Sequence, residues 1–165
     1  MTPSRREASG AKGTASILGI PMIYDLEEDS EFFYLIEEYL EGYSLYALIV
    51  NQGPIQEAEA VRYGMQVCGL VAYMHSACEI PILHLDLQPN NLIICNGTVK
   101  LIDFDHAAGC RWATIAPKRF GTVGCAAPEQ YASDRMLDQR TDIYADWCGP
   151  PFYDSRNPER GGRTV

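Results

Sequence analysis

Two short runs of β-favouring residues, Ile20 to Asp25 and Phe32 to Tyr39, flank the acidic turn Glu27-Glu28-Asp29-Ser30. Branched and aromatic side chains bounded by turn formers predict an antiparallel hairpin, with Leu40-Glu41-Gly42 ending its second strand. From Ile55 to His75 the period changes, and Val61, Met65, Cys68, Val71 or Ala72, and His75 recur at helical spacing behind Pro54. That spacing lines one face of a long amphipathic helix. Three apolar segments follow: Ile80 to Leu83, Asn91 to Cys95 and Val99 to Ile102. Asn96-Gly97 between the last two is a hairpin turn, which sets the polar stretch Asp86 to Asn91 at the mouth of a small sheet. An irregular segment and a helix start near Thr141 complete the pattern.

The two ends break the pattern. Residues 1–19, rich in Gly, Ala, Ser and Thr without a period, read as a disordered or off-frame leader. Pro150-Pro151 cannot sit in a helix interior, so residues 146–165 read as a non-native tail of the kind a frameshift leaves. Residues 20–145 remain as one α+β unit, since 165 residues with 47% apolar content supply one core and not two.

Charge narrows the partners. Thirteen Lys and Arg stand against 22 Asp and Glu, and Asp25, Glu27, Glu28, Asp29, Glu31, Glu37, Glu38 and Glu41 crowd a stretch with no basic residue. Such a chain offers no counter-charge to nucleic acid or to an anionic membrane. No apolar run approaches the ~20 residues that cross a bilayer, and Met1 to Arg6 lacks the apolar segment of a signal peptide. The six cysteines have no metal-ligand spacing with histidine, and most sit in apolar runs like small core residues. A reduced, cytoplasmic compartment is expected.

Three residues bring in chemistry. Asp86 and Asn91 share one loop, and Asp103 follows after one hairpin. Phosphoryl transfer needs oxygen ligands that hold magnesium on phosphates and a carboxylate beside the attacking hydroxyl, and these residues supply that set.

The surrounding residues resemble the protein kinase family, and most closely bacterial Ser/Thr kinases. The likeness runs in order through Phe33 to Gly42, His84-Leu85-Asp86-Leu87-Gln88-Pro89-Asn90-Asn91, Asp103-Phe104-Asp105, Gly121 to Glu129 and Thr141 to Tyr144. The resemblance implies a kinase-like fold reduced to the hinge hairpin and most of the helical lobe. It implies Asp86 as catalytic base, Asn91 and Asp103 as Mg2+ ligands, backbone groups of Glu38 and Leu40 as adenine partners, and Ile93 under the adenine. Thr122 would contact the catalytic aspartate, His84 would brace the loop against Asp103, and the substrates would be ATP and a Ser or Thr hydroxyl of a protein.

Departures from the family pattern modify that expectation. Leu85 replaces an arginine that receives an activation-loop phosphate, and Asp105 replaces a glycine. Gln88 replaces a lysine that neutralises the transferred phosphate, which implies slower transfer. No Gly-rich loop precedes the hinge, and the one upstream lysine, Lys12, is not on a strand. The later helices of the lobe are missing from the pattern as well. A non-catalytic binding module is therefore a second reading. A small-molecule phosphotransferase of aminoglycoside or choline type is a third, which shares Ile102 to Asp105 but is opposed by Gly121-Thr122 and Ala127-Pro128-Glu129.

Overall fold

Ile23–Glu28 (β1) and Phe33–Glu37 (β2) pair antiparallel, with Leu26 opposite Leu35 and a bulge between Ile23 and Asp25. The turn closes because the Asp29 carboxylate accepts from the amides of Glu31 and Phe32, at 2.7 and 2.8 Å. β1 therefore runs on through Glu27 and Glu28, which the sequence pattern placed in the turn. The computed structural model of the protein describes residues 19–110, 114–115, 121–132 and 136–148. The leader before Gly19 and the tail after Cys148 lie outside the described residues.

After the hinge, Tyr43–Ser44 (β3) joins a three-stranded sheet in the order β3-β5-β6, where β5 is Leu92–Cys95 and β6 is Thr98–Leu101. Gly42 permits this, since a Cβ there would collide with the Ile94 carbonyl. Asn96 and Gly97, at φ 49° and 80°, make the tight turn between β5 and β6. Helix α1 (Leu45–Gln52) starts where the Ser44 hydroxyl accepts from the Ala47 amide at 3.1 Å. Its apolar run had given no helical reading, because eight residues show barely two turns of period.

Helix α2 (Glu57–Ser76) matches the expected helix in extent but not in facing. Tyr63, Val67, Leu70, Val71 and Met74 are buried, and they pack on Leu92, Ile94, Val99 and Leu101 of β5 and β6. Val61 and Met65, expected to face the core, are exposed, as is Cys68. The helix is apolar on two adjacent stripes, and the sheet takes the stripe one residue away from the expected one. Cys78 is also exposed and Cys95 half-buried, whereas Cys110 and Cys125 behave as core residues.

Beyond β6 lie Ala108–Gly109 (β7), paired with Ile82–Leu83 (β4), and Thr114–Ile115 (β8), paired with Met136–Leu137 (β9). A smaller core of Leu83, Leu85, Cys110 and Leu137 fills the space beneath them. Helix α3 (Gln139–Cys148) closes the described fold against α2, with Ala145 in the main core. Among the described residues, no helix is long and apolar enough to cross a membrane.

Candidate active site

The stretch His84 to Asn91 leaves β4 and returns into β5 through a single 3-10 turn, Pro89–Asn91. Proline at the first position of that turn costs no hydrogen bond, because its missing N–H would have no partner there. The Asn91 amide then donates to the Gln88 carbonyl at 2.9 Å, which folds the two residues back over Asp86.

Asp86 is half-buried and receives three side-chain donors. Thr122 Oγ1 donates to its Oδ1 at 2.8 Å, and Gln88 Nε2 and Asn91 Nδ2 donate to its Oδ2 at 2.8 and 3.2 Å. Asn91 Nδ2 also donates to the Asp86 carbonyl at 3.0 Å. The Asn91 side-chain nitrogen is thus committed to Asp86. The β5–β6 ladder extends one step past Leu92 and Leu101, since the Ile102 amide donates to the Asn91 carbonyl at 2.9 Å. Asp103, exposed and in the left-handed region at φ 65°, therefore follows directly after the residue opposite Asn91. An amide oxygen and an exposed carboxylate are hard-oxygen donors of the kind Mg2+ accepts together with phosphate oxygens, and these two residues could hold such an ion. The Asp105 amide donates to Asp103 Oδ1 at 3.4 Å.

The other nominated residues lie at the hinge and on the sheet. Glu38 and Leu40 are half-buried between β2 and β3, and Ile93 sits half-buried at the centre of β5. His84 braces the loop one residue from the expected partner, since its Nε2 bonds the Ile102 carbonyl at 3.2 Å and not Asp103 itself. Its ring also packs edge-on against Phe104, with centroids 4.9 Å apart.

Two residues emerge that the sequence did not nominate. Asp142 on α3 is fully buried, and its carboxylate accepts the backbone N–H of His84 and of Leu85, each at 2.9 Å. His75 Nε2 lies 2.9 Å from the same carboxylate. Leu85, held this way, adopts a left-handed φ of 67° immediately before Asp86. Gln130 adds a second clamp, donating to the Leu85 carbonyl at 2.7 Å and accepting from the Ala127 amide at 2.9 Å.

Burial pushes the His84 imidazole below its ordinary pKa, against the opposing pull of the Ile102 carbonyl and of Asp142, Asp86 and Asp103. The hydrogen bonds agree, since Nε2 faces the Ile102 carbonyl while Nδ1 faces the Asp86 amide at 3.4 Å and accepts from it. A protonated ring would set two N–H groups against each other. The unfolded chain takes up this proton near pH 6.5 and the folded chain only at lower pH, so stability falls as pH drops below about 6.5. Urea midpoints measured from pH 7.5 to 5.5 should fall less steeply for His84→Phe than for the parent. Parallel slopes would show that folding leaves the His84 imidazole at its ordinary pKa.

Comparison with known proteins adds family evidence to this geometry. A sequence model described as "Protein kinase domain" matches residues 5–149. The chain is 33% identical over 144 residues to the serine/threonine-protein kinase PrkC of Bacillus subtilis, a match that covers 86% of this chain and 22% of that protein. It is 32% identical over 152 residues to a probable serine/threonine-protein kinase, a KIN1 homolog of Encephalitozoon cuniculi, covering 85% and 26%. A probable serine/threonine-protein kinase of Clostridium acetobutylicum is 32% identical over 144 residues, covering 86% and 21%. The chain thus spans between a fifth and just over a quarter of the length of these relatives.

Proposed function

The chain belongs to the protein kinase family, and from that premise we propose that it binds Mg2+ and ATP and directs the γ-phosphoryl group to a Ser or Thr hydroxyl of a protein. The observation that carries this reading is the Asp86 carboxylate, oriented by Gln88, Asn91 and Thr122 and set one strand away from Asp103. Asp86 accepts the hydroxyl proton as the nucleophile attacks, because its two oxygens are already aimed by fixed donors. Asn91 Oδ1 and Asp103 are the residues that would hold the metal, which neutralises charge on the phosphate oxygens when bound. Peptide groups of Glu38 and Leu40 face the adenine edge, and Ile93 supplies an apolar floor. Thr122 keeps Asp86 in one rotamer and so favours an aliphatic hydroxyl at that point.

Gln88 retains a donor to Asp86 but brings no positive charge to the transferring group. Transfer through an electrostatically stabilised transition state is sensitive to such a charge. Gln88→Lys is therefore expected to raise the initial rate of phosphoryl transfer from ATP to dephosphorylated casein by about tenfold. Phosphate incorporated per minute by the full chain measures it. A rate that stays flat would overturn the charge argument at Gln88, and a rate absent in both proteins while Mg-ATP binds would favour a binding module over an enzyme.

A further inference from the structure

The hinge hairpin is poorly anchored by packing. Every residue of β2 is exposed, and Leu26, Phe33, Leu35 and Ile36 among others turn to solvent. A two-stranded ribbon with so little buried apolar surface does not fix its own angle to the rest of the chain. Backbone contacts at its base help, since the Glu38 amide donates to the Met22 carbonyl at 2.8 Å and the Leu101 amide donates to the Gly19 carbonyl at 2.7 Å. The side-chain contact that spans from the hinge to the sheet is an ion pair. Lys100 Nζ lies 3.3 and 3.1 Å from the two carboxylate oxygens of Glu38. The Glu38 carboxylate also accepts the Met22 N–H at 3.2 Å, so one group gathers β6 and the entry to β1.

Its placement relative to the adenine floor gives this pair a role. Lys100 is the direct cross-strand partner of Ile93 in the β5–β6 ladder, so both side chains leave the sheet on the same face. Leu92, Ile94, Val99 and Leu101 fill the opposite, core face. The Lys100 side chain is 12% exposed and that of Glu38 31%, so the pair is partly shielded from salt and solvent. Resting on the ATP-binding reading above, we infer that Lys100 is a positioning residue for the nucleotide, which through Glu38 fixes the spacing between the hinge peptide groups and the Ile93 floor. The hydrogen bond from Lys100, joined by that from the Met22 amide, holds the Glu38 carboxyl below the usual carboxylate range, as a persistent contact would.

A double-mutant cycle on the full chain tests this. Lys100→Met keeps the apolar stem, and Glu38→Gln keeps an acceptor for Met22. Each is expected to raise the Kd for Mg-ADP by about three- to tenfold, and the double variant no further than either single one. Amide hydrogen exchange at Met22 and Glu38 should quicken in Lys100→Met without nucleotide. Unchanged affinity in Lys100→Met, or losses that simply add in the double variant, would overturn the proposal. If the parent chain binds no nucleotide, the phosphotransferase reading fails, and exchange alone then decides. Equal exchange in parent and Lys100→Met overturns the positioning role, and faster exchange upholds the tie between hinge and sheet.

Discussion

Asp142→Ala is expected to lower folding stability by about 3 kcal/mol or more. The substitution removes the acceptor of two buried N–H groups, those of His84 and Leu85, in a place closed to solvent in the native fold. Each buried donor left without a partner costs about 1–3 kcal/mol. His75 loses its carboxylate partner at the same time. Asp142→Asn fares little better, because its amide keeps one oxygen but sets an NH2 against the other backbone donor. Urea denaturation followed by circular dichroism gives the number, and a loss under about 1 kcal/mol would contradict the assignment. The effect reaches the site as well, since Leu85 holds a left-handed backbone that an L side chain resists, at a cost of roughly 1–2 kcal/mol. Without Asp142 and Gln130 to impose it, Leu85 relaxes, and Asp86 turns with it.

The second large effect is on chemistry and not on folding. Asp86→Asn keeps the size and much of the hydrogen bonding of the side chain while removing its ability to take a proton. Phosphoryl transfer is expected to fall by about 10²- to 10⁴-fold, the range that a positioned base supplies. The variant should still fold, because Thr122 Oγ1 still meets an oxygen, Asn91 Nδ2 still bonds the residue 86 carbonyl, and the Gln88 amide, unlike the backbone donors at Asp142, can turn its oxygen toward the new NH2. It should also still bind Mg-ATP, since the proposed metal ligands are Asn91 and Asp103. A variant that retained more than a tenth of the parent rate would remove Asp86 from the role of base.

These residues differ in how far the chain itself disclosed them. Asp86, Asn91 and Asp103 were readable because their spacing is local: a loop of one turn, then one hairpin with an Asn-Gly corner, leaves the backbone little choice. Thr122 was nominated through family resemblance, and its hydroxyl does reach the Asp86 carboxylate. Asp142 was not nominated, although it lies within a motif that carried the resemblance. It sits 58 and 57 residues along the chain from the two amides it accepts, and only the packing of α3 on α2 brings it there. Helix α2 was read in the right place with the wrong face inward, because a helix apolar on adjacent stripes does not reveal which one a sheet will cover. Glu129, which the sequence offered only as part of a motif, accepts from the Thr141 hydroxyl at 3.0 Å, twelve residues on.

Asn91 and Asp103 are proposed to form a magnesium-dependent nucleotide site beside Asp86. Calorimetric titration of the full chain with ATP, with and without Mg2+, tests it most directly. Saturable binding that requires Mg2+, persists in Asp86→Asn and is lost in Asp103→Asn is expected. Binding that ignores Mg2+, or that survives intact in Asp103→Asn, would contradict it.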